Sequence, residues 1–152
     1  MKVEIKTPEI IFQFSELLKS SELVPEGLEK DNLYLFCERE ESGAIVGVVA
    51  VETYGNVCLL RSLAVQENKQ NRGIARSLLK EAFEYARSVK SYEMYLLTET
   101  IVDMMYRYGF RNVHRDKVPN EFLESPFFNG LCSCSCQLMY KNINSMEGCN
   151  HV

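Results

Sequence analysis

Two groups of residues in this sequence have the types and spacing to do chemistry. The first is Gln70-Asn71-Arg72-Gly73-Ile74-Ala75, which follows the apolar run ending in Leu63-Ala64-Val65. A strand that runs through a Gly-containing polar loop into a helix aims unpaired backbone N–H groups at one spot. The helix dipole adds positive potential there, so the spot suits a phosphate or pyrophosphate. A dinucleotide site would want Gly-x-Gly-x-x-Gly, and a nucleotide triphosphatase would want Gly-Lys-Ser/Thr; neither is present.

The second group is Glu52, Tyr54, Arg61 and Ser62. Alternation along a strand puts Glu52 and Tyr54 on one face, and Arg61 on the face opposite Ser62. An Arg within an apolar central strand is costly unless an anion meets it. Two readings follow. Arg61 pairs with Glu52 as a structural bridge across the hairpin, or it holds an acidic group of a substrate bidentately, leaving Glu52 free to act as a base.

Cys132, Cys134 and Cys136 form a third, odder set. Period-two spacing on a strand puts their sulfurs on one face at steps of about 7 Å. Three thiolates could hold a soft metal or trivalent arsenic, but structural zinc sites use Cys-x-x-Cys. A packed core strand is the blander account, and no metal ligand is assigned. His114 and His151 lie too far apart in sequence to form a ligand pair of fixed spacing.

The elements that must position these residues can be read in order. Residues 2–6 alternate like a short first strand. Thr7-Pro8-Glu9 is a helix start, with Thr as N-cap and Pro at the first helical position, and the helix should end near Ser20. Residues 23–28 read as a helical turn. Residues 33–37 and 44–51 make an antiparallel pair, and 57–65 is the central strand. Ile74, Ala75, Leu78, Leu79, Ala82, Phe83, Ala86 and Val89 then recur at helical spacing. A strand over 92–98, a helix over 99–108 closed by Gly109, a helical turn opened by Val118-Pro119-Asn120-Glu121 and a last strand over 131–140 follow. The chain after Ile143 is polar and reads as a loose tail, leaving one domain over 1–143.

The loop at 70–75 resembles the acetyl-CoA signature of the GNAT N-acetyltransferase superfamily, Gln/Arg-x-x-Gly-x-Gly/Ala. Asn71 stands where many members have Gly, and a positive φ is open to Asn. The resemblance implies an α/β fold with a mixed central sheet of about seven strands flanked by helices. It also implies a splay between the fourth and fifth strands, which end at Val65 and near Thr98. Acetyl-CoA would be the cosubstrate, its arm in that splay against Leu63, Ala64, Val65 and Thr98. Its phosphates would meet Gln70, Asn71, Arg72, Gly73, Ile74, Ala75 and Arg76. Residues 23–28 would lie over the acceptor site. Many members carry a Tyr four residues before the Gly of Tyr-x-x-x-Gly-Phe; here that place is Met105, with Tyr106 about 100° round the helix.

Glu52-Thr53-Tyr54-Gly55, Leu60-Arg61-Ser62-Leu63-Ala64-Val65, Tyr95-Leu96-Leu97-Thr98, Gly109-Phe110, Val118-Pro119 and Leu131-Cys132 narrow the likeness. Together they resemble the arsinothricin/phosphinothricin N-acetyltransferase group over about residues 44 to 141. What this implies is acetylation of the α-amine of a glutamate-like amino acid. Arg61, Ser62 and Tyr54 would contact it, and Glu52 would act as base directly or through water. Two rivals stay open: an idle CoA-binding or thiol-metal sensor domain, and acetylation of a protein N-terminus, which wants an open peptide groove.

Composition sets the outer limits. The 152 residues are 46% hydrophobic and 25% charged, the balance of a globular protein. A net charge of −4 argues against broad nucleic-acid binding. No apolar run is long enough to cross a bilayer and no secretory signal is visible, so a cytoplasmic location with reduced thiols is expected. The partner expected is a small-molecule amine, with no nucleic acid or membrane; a homodimer is left open.

Overall fold

A computed structural model describes residues 3–125, 128 and 136–144. Its centre is a six-stranded mixed sheet in the order β1-β2-β3-β4-β6-β5. The strands are β1 (Leu33–Arg39), β2 (Ile45–Tyr54), β3 (Val57–Val65), β4 (Glu93–Thr98), β5 (Arg111–Asn112) and β6 (Gln137–Asn142). Helices α1 (Pro8–Ser20), α2 (Ile74–Ser88) and α3 (Val102–Arg107) flank it.

The helix starts follow local chemistry. Thr7 caps α1 by accepting the Ile10 N–H at 3.2 Å, with Pro8 at the first helical position, where no N–H is needed. Gly73 begins α2 from the left-handed region, at φ +78°. The apolar stripe Leu78, Leu79, Ala82, Phe83 and Ala86 is buried against one face of the sheet, with Val49, Val51 and Leu60. The other face carries α1 through Phe14 and Leu18, over Leu33, Leu35 and Val48. A third cluster, around Leu59 and Phe122, sits on the α1 side and includes Tyr54 and Tyr95.

Helix α2 lies unusually close to β2. A Cβ at Gly47 would stand 2.6 Å from Ile74 Cγ2 and 3.1 Å from Leu78 Cδ1. Glycine is what lets the first turn of the helix settle onto the sheet at the end of the central strand.

Three expectations need correction. Residues 3–6 are not a strand: Glu4 donates one backbone bond to Leu35 at 2.8 Å, and Thr7 N–H already turns back to Ile5 at 2.9 Å. The described sheet therefore has six strands where about seven were expected. The helix expected from residue 99 starts at Val102, because Thr98 Oγ1 accepts the N–H groups of Thr100 and Ile101 and holds a turn first. The last strand begins at Gln137 among the described residues and runs to Asn142, while 131–135, with Cys132 and Cys134, lie outside them, as do 145–152. Cys37 and Cys58 are free thiols.

Candidate active site

The central strand and its parallel neighbour separate midway. β3 and β4 pair only over Val57↔Glu93, Cys58↔Met94 and Leu59↔Tyr95. β3 continues to Val65 and β4 to Thr98 without further pairing between them. Beyond Leu59 and Tyr95, each strand turns an open edge of backbone N–H and C=O toward a gap. Such groups need partners. An extended amide-bearing chain laid in the gap would supply them.

A bulge shapes the β3 side of that gap. On β2, Val48 pairs with Ala64 and Ala50 with Arg61, so Ser62 and Leu63 together oppose Val49. Ser62 holds φ +63°, a strained value for a residue with a side chain, at a cost of about 1–3 kcal/mol. The extra residue explains why Arg61 and Ala64, three apart, both reach the α1 side of the sheet.

Beyond the bulge, the strand leads into the cradle. Gln70 Nε2 donates to the Val65 carbonyl at 3.2 Å and folds the loop back on the strand end. Asn71 has φ +65° and Gly73 φ +78°, so the conformation anticipated at Asn71 is present. The first α2 bond runs from Ser77 N–H to Gly73 C=O at 3.1 Å. The amides of Ile74 and Ala75 precede it at the positive end of the helix dipole. A cleft of about 340 Å³ opens beside Arg72, Gly73, Ile74 and Ser77, bounded by Glu38 and Lys69. Lys69 is held by Glu40 at 3.1 Å.

On the α1 side of β2 and β3 lies a buried polar network. Glu52 and Arg61 are 0% and 3% exposed. Arg61 Nη1 donates to Glu52 Oε2 at 2.8 Å, Nε to Ser62 Oγ at 2.8 Å, and Nη2 to the Val24 carbonyl at 3.4 Å. Tyr54 Oη donates to Glu52 Oε1 at 2.6 Å. Burial, and then the bond and charge of Glu52, push the Tyr54 hydroxyl up to about 12. Burial draws the Arg61 guanidinium below its ordinary value, and Glu52 pulls the other way. Of the two readings of Arg61, this geometry is that of the bridge. A substrate acid reaching the guanidinium would compete with Glu52 and the Val24 carbonyl.

The structure thus gathers the expected residues into two adjoining places. Leu63, Ala64 and Val65 lie on the unpaired end of β3 and Gln70 to Arg76 lead from it into α2, while Glu52, Tyr54, Arg61 and Ser62 form the network on the α1 side. Thr98 closes the far strand with its hydroxyl engaged in the turn. Met105 is fully buried in the core, and Tyr106 points outward to Asn112, so neither reaches the gap from α3. Sequence spacing missed Tyr108. It packs edge-on against Phe83 of α2 with ring centroids 6.5 Å apart, within electrostatic reach of Arg76. Only the docking of α3 on α2 brings it there. Among the described residues no group of three His, Cys, Asp or Glu is placed to hold a metal. Nor is any of their helices long and apolar enough to cross a membrane.

Known proteins share this framework. N-acetylglutamate synthase from Neisseria gonorrhoeae, complexed with coenzyme A and L-arginine, superposes with a TM-score of 0.73 at 16% identity over 95% of this chain. The chain spans only 33% of that protein's length. A Mycobacterium tuberculosis protein in complex with CoA and NLQ gives 0.71 at 15% identity over 93% of this chain and 99% of its own. Tetrahymena GCN5 gives 0.72 at 14% identity, over 94% of this chain and 96% of its own. At such identities the likeness is one of fold. No curated protein matches the sequence significantly. The sequence itself matches the Acetyltransferase (GNAT) family across residues 5–110, well over half its length. The chain belongs to the GNAT family of acetyltransferases.

Proposed function

We propose that this protein uses acetyl-CoA to acetylate the amine of a small, acidic, amino-acid-like acceptor. The observation that carries the reading is the parting of β3 and β4 beyond Leu59 and Tyr95, which opens directly onto the α2 cradle. The open strand edges suit the amide groups of a pantetheine arm, and the amides of Ile74 and Ala75 suit its pyrophosphate. Solved neighbours of this fold carry CoA, which supports the assignment.

Acetyl-CoA, when bound, supplies an acetyl thioester whose carbonyl carbon the neutral amine attacks, the C–N bond forming as the C–S bond breaks. In this reading the backbone at the Ser62 bulge donates to the carbonyl oxygen as it gains charge. An α-amine of pKa about 8 is only roughly one-tenth neutral at pH 7, so removal of its proton matters. Tyr54 and Glu52 form the route: Tyr54 Oη can take a proton from the amine as it passes its own to Glu52 Oε1. Ser62 and Tyr54 meet the acceptor, and Arg61 lends its charge from behind Ser62. The leaving thiolate has a conjugate pKa near ~8.5 and needs no strong acid, which fits an apolar Met105.

The test is acetyl-CoA turnover by free-thiol release across phosphinothricin, arsinothricin, glutamate, aspartate, neutral amines and short peptides. Preference for the acidic amino acids supports the acceptor class. Turnover confined to peptides moves the protein to N-terminal acetylation, and CoA binding without turnover on any amine overturns the enzyme reading.

A further inference from the structure

We infer that Arg61 is a positioning residue that clamps the Ser62 bulge to the 24–27 loop, and through them sets the geometry of acetyl transfer. The inference rests on the proposed role of the bulge backbone in meeting the acetyl carbonyl.

Among the described residues, three pieces of the chain meet at one planar guanidinium. Nη1 is fixed on β2 by Glu52, itself held at its other oxygen by Tyr54. Nε grips the side chain of Ser62, the residue whose left-handed backbone makes the bulge. Nη2 reaches the Val24 carbonyl, and Gly27 presses close enough that an added Cβ would stand 3.4 Å from Nη1. The loop is therefore bonded to the guanidinium at Val24 and passes close to it again at Gly27. It lies on the α1 side of the sheet, where Val24 joins the cluster around Phe122 and Tyr54.

A rigid fork is what this junction requires. Arginine presents donors in three fixed directions within a plane, while lysine offers one compact charge on a flexible stem. Lysine at 61 could keep the ion pair with Glu52 but not the grips on Ser62 and Val24 together. The bulge would then be free to relax from its strained φ, shifting the backbone of Ser62 and Leu63. The loop would lose its seat in the same event. This makes Arg61 a link between the acceptor side and the acetyl side of the site, distinct from a direct substrate contact.

The decisive comparison sets Arg61→Lys, Ser62→Ala and the double variant beside the wild-type chain. Amide hydrogen exchange reads the clamp without any turnover: in Arg61→Lys, exchange should quicken by at least about tenfold at both 24–27 and 62–64. Quickening at one segment alone, or at neither, overturns the clamp. Steady-state rates with one acidic and one neutral amine read its consequence. Arg61→Lys and Ser62→Ala should each lower kcat with both acceptors, and the double variant should fall no further than the worse single one. A rise in KM for the acidic acceptor alone, with kcat kept, would make Arg61 a substrate anchor instead and sink the proposal. Absence of wild-type turnover would count against the enzyme reading, and hydrogen exchange would still decide the clamp.

Discussion

Arg61 and Glu52 face each other diagonally across β3 and β2, Nη1 to Oε2 at 2.8 Å with neither side chain exposed. A pair closed off this way is asymmetric in its response to mutation. Removing one partner strands the other charge in the core, at a cost of about 3–5 kcal/mol, whereas replacing both with apolar residues can be nearly neutral. Glu52→Leu and Arg61→Met should each lower stability by that order in urea titrations. The combined variant should recover much of the loss, since its charges vanish together.

Gly47 carries a prediction about the cradle. Gly47→Ala drives a methyl to 2.6 Å from Ile74 Cγ2, so the Ile74 side chain, and the first turn of α2 that carries it, must give way. Overpacking of this kind costs about 1–3 kcal/mol. The helix end proposed to meet the phosphates moves with it. The KM for acetyl-CoA should rise while the KM for the amine stays near its original value.

Asn71 and Gly73 both hold positive φ but should respond differently. Gly73→Ala places a Cβ in the left-handed region, at roughly 1–2 kcal/mol, and should lower Tm and weaken CoA binding in calorimetry. Asn71→Gly relieves the backbone and should leave CoA binding unchanged or slightly better.

Alkaline pH should destabilise the fold. Tyr54 and Tyr140 are both raised from 10.0 to about 12, by burial first and then by Glu52 and Glu93 respectively. Since the folded state holds these protons more tightly than the unfolded chain, their contribution is full below pH 10.0 and is lost as pH climbs toward about 12. Tm against pH should fall across that window. Tyr54→Phe with Tyr140→Phe should flatten the fall, and an unchanged slope would show that other groups govern it.

Restoring the tyrosine that many relatives carry should not help this chain. Met105 is fully buried, and Met105→Tyr would push a ring and hydroxyl into a filled core. Stability should drop with no gain in kcat.

Local chemistry along the chain was enough to determine a good deal. Strand β3 was readable to both its ends because an apolar run is bounded by a Gly-containing turn and a wholly polar loop. The Thr7 cap, the stripe of α2 and the positive φ of Asn71 each depend on neighbours within a few residues. The signature at 70–75 carried the family for the same reason. Tertiary structure decided the rest. Residues 3–6 alternate like a strand but receive a single ladder bond, since pairing is settled by the partner edge. Alternation placed Glu52 and Tyr54 on one face but gave no sign of the extra residue at Ser62, because a bulge is defined by two strands at once. That bulge, with the 24–27 loop folded over from far along the chain, is what encloses Arg61. Whether a buried cation serves a bridge or a substrate depends on what surrounds it, and those surroundings come from segments 9 and 37 residues away.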